Sequence, residues 1–88
     1  MIEIKTEWYD TIKSSHLKFA EERGLDKTYC PSEVAKACFP KNWRNHMDVV
    51  REVADDLVAT GNLKVLQGGK IISSRAVAAK GPIRLQKK

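Results

Sequence analysis

The apolar pattern of this chain changes its period once, at Gly61. Before this glycine, apolar residues recur every three to four positions, as on one face of an α-helix. After it, Leu63 and Val65 alternate with their neighbours, the pattern of a half-buried strand. A single change of period places the predicted hairpin in the C-terminal third. The sequence therefore predicts a mainly α fold with a small β-hairpin.

Two helices are predicted before residue 40. The first runs from Thr6 to Arg23, with Thr6 as N-cap and Gly24 as terminator. Its apolar arc consists of Trp8, Tyr9, Ile12, His16, Phe19 and Ala20. The second helix begins near Pro31, because a proline loses nothing in the first turn, and ends by about Phe39. Its predicted buried residues are Val34, Ala37 and Cys38.

The third helix has an apolar stripe and a charged opposite face. Asn42 is its predicted N-cap, and Gly61 follows its last turn. The stripe consists of Trp43, Met47, Val50, Ala54, Leu57 and Val58. Charged residues three and four positions apart stabilise an exposed helix by about 0.2–0.5 kcal/mol per pair. That spacing predicts a ladder of ion pairs: Arg44–Asp48, Asp48–Arg51 and Arg51–Asp55.

Gly68 and Gly69 predict a hairpin turn, because both glycines tolerate positive φ. Ile71 and Ile72 then form the predicted return strand, with a buried face shared with Leu63 and Val65. Three further segments are assigned by composition: 27–29 as a short strand that pairs with the hairpin, 73–80 as a basic loop, and 82–85 as an edge segment.

The order helix, short strand, helix, helix, hairpin is that of a winged-helix domain. The second and third helices form the helix-turn-helix pair, and the hairpin is the wing. We expect one domain over residues 1–88, with 73–88 as a basic loop and C-terminal segment. The competing fold is a three-helix bundle with a disordered basic tail, which leaves the alternating apolar residues after Gly61 without a buried face.

Length and composition limit the function. A chain of 88 residues and 9.9 kDa excludes a two-domain enzyme and leaves little room for a catalytic cleft, so no enzyme activity is expected. No apolar run approaches the roughly 18 residues of a membrane helix. The first seven residues have neither a basic nor an apolar signal region, which predicts a cytoplasmic protein with reduced cysteines.

Charge is segregated along the chain. Residues 1–61 carry 9 Lys/Arg and 11 Asp/Glu, a balance of −2, whereas residues 62–88 carry 7 Lys/Arg and no acid, a balance of +7. A block of one sign attracts polyanions, and nucleic acid is the commonest cytosolic polyanion. The alternative to polyanion binding is that the basic tail only keeps a small protein soluble.

The predicted function is therefore nucleic-acid binding, with duplex DNA as the expected ligand. Arg44, Asn45 and Arg51 are the candidate base contacts, because Arg pairs with guanine and Asn with adenine. The candidate phosphate contacts of the wing are Lys64, Lys70, Lys80, Arg75 and Arg84. Four acids give the third helix a balance of −2 over residues 43–60, which opposes major-groove docking and favours contacts led by the wing. The alternative is a protein-interaction module or homodimer with no nucleic-acid contact.

The cysteines and histidines do not form a metal motif. Cys30 and Cys38 are separated by seven residues, beyond the short spacing of structural zinc sites, so no metal or cofactor is expected. Cys30 lies at a helix N-terminus, where the dipole stabilises a thiolate, and a redox role stays open beside that of a packed thiol. His16 and His46 are expected at the edge of the core.

Two strings carry a family resemblance: Cys-Pro-Ser-Glu-Val-Ala at 30–35 and Gly-Pro-Ile-Arg at 81–84. Together with Trp43, Arg44 and the surrounding pattern over residues 9–85, they resemble a family of small bacterial winged-helix proteins of unknown function. The resemblance implies a winged-helix fold. It implies no activity, cofactor or catalytic residue.

Overall fold

The computed structural model describes residues 6–73 and 75–88, which form three α-helices and a three-stranded antiparallel sheet. The elements in chain order are α1 Thr6–Arg23, α2 Pro31–Cys38, a 3₁₀ turn Trp43–His46, α3 Met47–Ala59, β1 Leu63–Gln67, β2 Lys70–Ile71 and β3 Arg84–Lys87. This arrangement confirms the mainly α fold with a winged-helix layout. Five of the seven residues on which the absence of a signal was judged, residues 1–5, lie outside the described residues, as does the side chain of Thr6, the predicted N-cap.

The C-terminal strand β3, rather than the Ile71–Ile72 segment, is the main partner of β1. The sheet order is β2-β1-β3, and β3 pairs along β1 from Leu63↔Lys87 to Leu66↔Arg84. β2 pairs with β1 at only two positions. Val65 and Leu85 face each other in the core, whereas Ile71 is 64% exposed, so the predicted buried face of Ile71 is wrong. The longer pairing of β1 is therefore with β3, because that pairing buries apolar side chains.

The segment between α1 and α2 extends this sheet by one residue. Tyr29 and Leu85 exchange two backbone hydrogen bonds, of 2.8 and 2.7 Å, in an antiparallel bridge. At the opposite end of the sheet, Gly68 and Gly69 adopt φ of 60° and 81°, which only glycine tolerates well, and turn the chain from β1 into β2. The Gly-Gly turn is therefore confirmed. Of the predicted short strand only Tyr29 pairs, and its partner is β3, so the predicted pairing with the hairpin is wrong.

One face of the sheet packs on the helices. Leu63, Val65 and Leu85 are buried against a cluster to which α3 contributes most, through Val49, Val50, Val53, Ala54 and Leu57. The predicted stripe of α3 omitted Val49 and Val53. No helix in the described part of the chain is long and apolar enough to cross a membrane.

Three local predictions for α2 and α3 are wrong. Ala37 is exposed and Ala35 is buried, because the inward face of α2 follows positions 31, 34, 35 and 38. The Asn42 side chain caps nothing; its backbone precedes the 3₁₀ turn that leads into α3. None of the three predicted ladder pairs is an ion pair among the described residues, since Arg51 and Asp55 both bind the wing.

A buried histidine connects α1, the short strand and α3. His16 is inaccessible to solvent; its Nε2 donates to the Val50 carbonyl and its Nδ1 accepts from the Tyr29 hydroxyl, both at 2.9 Å. A carbonyl only accepts, so Nε2 carries a proton. Burial disfavours the charged form and lowers the pKa of His16 to about 4, against the smaller opposing effect of the Val50 carbonyl.

This burial predicts a pH-dependent stability. Between the folded pKa near 4 and the usual value near 6.5, the unfolded chain binds a proton that the folded chain does not, so stability falls as pH falls through this window. We expect His16 to account for a loss of about 2 kcal/mol between pH 7 and pH 5, measured by urea unfolding. His16→Gln should remove that part of the loss, and the control His46→Gln should retain it. An equal pH dependence in the wild type and His16→Gln would contradict the assignment.

Candidate nucleic-acid interface

Seven of the eight predicted site residues occupy three different places, and the eighth, Lys80, lies in the wing loop described below. Arg44, Asn45 and Lys70 are exposed towards solvent. Arg51 and Arg75 are engaged with other parts of the chain. Lys64 and Arg84 lie on the face of the sheet that points away from the helices. The acid-free C-terminal third therefore does not form one continuous basic patch.

Arg51 fastens the wing loop, residues 75–83, to α3. One guanidinium nitrogen donates to the carbonyls of Ala76 and Ala79 at 3.3 and 3.1 Å, and a second donates to Gly81 at 3.2 Å. Its Nε is buried with no acceptor among the described residues. A guanidinium that satisfies three backbone carbonyls is committed to holding the loop. Arg51 is thus a positioning residue, and we leave it out of the proposed binding surface.

Asp55 fastens the same loop from one turn further along α3. Its carboxylate accepts from the backbone N–H groups of Ala76 and Val77. Arg75 adds ion pairs to Glu52 at 2.8 Å and to Asp55 at 3.6 Å, although its own side chain is 60% exposed. The loop therefore covers the middle of α3. It also neutralises Glu52 and Asp55, two of the four α3 acids whose charge opposes nucleic-acid docking.

The wing carries two exposed lysines, Lys80 in the wing loop and Lys70 in β2. Lys80 lies between Ala79 and Gly81, whose carbonyls both bind Arg51. Gln67, the cross-strand partner of Lys70, donates through Nε2 to the Lys80 carbonyl at 2.6 Å. Both lysines are exposed, and neither is ion-paired in the part of the chain that the structure describes. We call them the wing lysines.

A second group of cations surrounds Trp43 at the start of α3. Lys36 Nζ lies 4.7 Å from the centre of the Trp43 ring, and Arg44 Cζ lies 5.0 Å from it. A shallow pocket of about 480 Å³ beside them is lined by Lys41, Asn42, Trp43, Arg44 and Asn45. We call Lys36, Lys41, Trp43, Arg44 and Asn45 the lead-in cluster. Its three cations carry no ion pair among the described residues.

Lys36 and Lys41 were not among the predicted site residues, although the charge pattern around them indicates a basic surface. Residues 34–47 contain three basic residues and no acid, a second acid-free stretch besides the C-terminal one. It covers the turn of the helix-turn-helix pair, where the N-terminal end of a recognition helix approaches nucleic acid. Ring contacts across the α2–α3 turn bring Lys36 and Arg44 to the same indole, which linear spacing alone did not indicate.

The remaining functional groups are structural or isolated. The Glu33 carboxylate accepts from Cys30 N–H at 2.8 Å and from Arg23 at 2.6 Å, and these contacts, Arg23 first, lower the pKa of Glu33. Cys30 and Cys38 are free thiols, and burial raises the pKa of Cys38. No group of three or more His, Cys, Asp or Glu side chains is close enough to hold a metal ion within residues 6–73 and 75–88.

The order of elements defines the class: a helix-turn-helix pair followed by a wing is the winged-helix layout. The chain belongs to the family described as "Protein of unknown function (DUF3253)", whose model matches residues 9–88. No curated protein matches the sequence. The family membership agrees with the resemblance carried by the two strings, and it leaves the activity to be argued from the geometry.

The loop attachment predicts a specific stability effect. Arg51→Met removes three hydrogen bonds from a charged donor, and we expect a loss of about 2 kcal/mol in unfolding free energy. Faster amide exchange should appear at residues 76–81, because the loop loses its anchor. Arg44→Met, in the 3₁₀ turn before α3, should cost less than about 1 kcal/mol and leave that exchange unchanged. Unaltered loop exchange in Arg51→Met would show that Arg51 does not hold the loop.

Proposed function

We propose that this protein binds duplex nucleic acid through the lead-in cluster and the wing lysines together. The observation that carries the proposal is the attachment of the wing loop to α3 by Arg51. The carbonyls on either side of Lys80 bind Arg51, so the Lys80 backbone lies beside the helix that follows the lead-in cluster.

Three of the four α3 carboxylates have partners within the protein, so they repel a nucleic-acid phosphate less than free carboxylates would. Glu52 and Asp55 are bound to the wing. Asp56 interacts with the Tyr9 hydroxyl of α1, which raises the pKa of Tyr9. Asp48 is exposed and, alone among the four, has no partner in the described structure. The lead-in cluster and the wing lysines therefore provide five cations against one free carboxylate.

The covered middle of α3 favours binding without sequence preference. Base readout requires side chains that reach the base edges, and phosphate contacts position a protein without reading sequence. Arg44 and Asn45 are the base-reading residue types left exposed at the start of α3, while the wing loop lies over the next two turns. We therefore propose contacts dominated by phosphate, in the cytoplasm, where nucleic acid is the most abundant polyanion.

Salt dependence tests this function. Five phosphate contacts predict a slope of log affinity against log salt of about −4.5 on random duplex DNA, measured by fluorescence anisotropy. The triple variant Lys36→Gln, Lys41→Gln, Arg44→Gln should reduce the slope to about −2, because three contacts are removed. The double variant Lys64→Gln, Arg84→Gln removes two cations from the far side of the sheet and should leave both slope and affinity unchanged.

Three results would end the proposal: no binding to duplex DNA or RNA at 50 mM salt, an affinity independent of salt, or equal loss in the triple and double variants. The last result would indicate a diffuse attraction set by net charge alone. A substitution series at the bases would separate the modes further, because phosphate-led binding changes little between unrelated duplex sequences.

A further inference from the structure

The sheet face that points away from the helices forms a separate surface. Cross-strand pairing places five side chains on it, which we call the outer sheet face: Lys64, Leu66, Ile71, Arg84 and Gln86. Gln86 is buried, at 8% exposure, so the accessible part of the face consists of the other four side chains. Leu66 lies opposite both Ile71 and Arg84, and Lys64 lies opposite Gln86. The alternate residues Leu63, Val65 and Leu85 are buried on the helix side. The outer sheet face therefore cannot take part in the surface proposed for nucleic acid.

Aliphatic side chains are exposed at both edges of this face. Ile71 is 64% exposed and lies across from the half-buried Leu66. At the other edge Leu25 is 63% exposed, and its carbonyl accepts from Gln86 Nε2 at 2.8 Å. Ile71 and Leu25 are the most exposed large hydrophobic residues of the described chain. A large aliphatic side chain gains free energy when a partner removes it from water, by about 25 cal/mol per Å² of area.

Two cations lie between these aliphatic edges. Lys64 has no ion pair in the described structure, and Arg84 is held by Thr28, through Nε to the hydroxyl at 3.0 Å and through a second nitrogen to the carbonyl at 3.3 Å. No carboxylate lies on the face itself. Glu33, whose pKa Arg84 helps to lower, is already bound to Arg23. The Arg84 guanidinium is thus oriented by the two neutral oxygens of Thr28, on the same face as the unpaired Lys64.

We propose that the outer sheet face binds an acidic protein segment whose aliphatic side chains cover Ile71 and Leu66 and whose carboxylates pair with Lys64 and Arg84. Charge complementarity requires an anionic partner. A second copy of this chain would oppose like charges across a two-fold axis. Nucleic acid is less suited, because the described face has no aromatic side chain to stack on a base, and phosphates would leave the aliphatic side chains uncovered.

Synthetic peptides of defined composition test this surface on the full chain. The probes are two peptides of glutamate and leucine, one alternating as in a strand and one spaced as on a helix, with polyglutamate and a lysine-leucine peptide of equal length as controls. Backbone amide shifts of the isotope-labelled protein report the site. We expect at least one glutamate-leucine peptide to shift residues 64–66, 71 and 84, and to bind at least tenfold more tightly than either control.

Variants separate this surface from the proposed nucleic-acid surface. Lys64→Glu with Arg84→Glu should weaken glutamate-leucine binding at least tenfold, and Ile71→Ser at least threefold. The triple lead-in variant Lys36→Gln, Lys41→Gln, Arg44→Gln should leave peptide binding unchanged while it weakens duplex binding. The charge-reversed variant probes the site even if Ile71→Ser unfolds, because Lys64 and Arg84 make no buried contact.

Four results would overturn the proposal: no shift at the face with either glutamate-leucine peptide, equal binding of polyglutamate, shifts of the same amides by duplex DNA, or a concentration-dependent dimer that Ile71→Ser dissolves. The third would assign the face to nucleic acid and the fourth to a second copy. Loss of duplex binding alone would affect only the nucleic-acid proposal, so the two proposals fail independently.

Discussion

The neutral imidazole of His16 is the contact on which the arrangement of the other elements depends. It binds the Tyr29 hydroxyl and the Val50 carbonyl, and so connects α1 and α3 to the short strand between α1 and α2. Tyr29 in turn pairs through its backbone with Leu85, which brings β3 beside β1 and onto the core. A buried imidazole with both nitrogens satisfied specifies one packing of these elements, because any shift would leave a polar group unpaired in an apolar core.

The wing loop determines which charges are available to a ligand. Arg51 and Asp55 of α3 hold it through backbone carbonyls and N–H groups, so two charged side chains are used for folding. The same contacts remove Glu52 and Arg75 as free charges and place Lys80 beside α3. The strands then divide the remaining cations between the helix side and the outer sheet face. The basic side chains behind the net charge of +5 are thereby distributed over two surfaces with different chemistry.

Local signals predicted most of the elements. The C-terminal end of α1 at Arg23 agrees, because Gly24 adopts a positive φ that ends the helix, whereas its start coincides with the first described residue, and the Gly-Gly turn occurs where positive φ is required. The pairing of β3 with β1 was missed, since Arg84–Lys87 is separated from β1 by 16 residues and no local pattern reports a long-range partner. In the site, Arg44, Asn45 and Lys70 are exposed as expected, whereas the commitment of Arg51 to wing carbonyls depends on a loop 25 residues away.

The sequence by itself determined the helices, the Gly-Gly turn, the class of fold and the excess of positive charge, because each follows from near neighbours or from composition. Tertiary structure alone decided which cations share a surface. Side chains of adjacent residues on a strand point to opposite faces, and a guanidinium binds whichever carbonyls the fold brings to it. The direction of Lys64 and Arg84, the attachment of Arg51 and the meeting of Lys36 with Arg44 at Trp43 therefore became defined only when the helices and strands packed together.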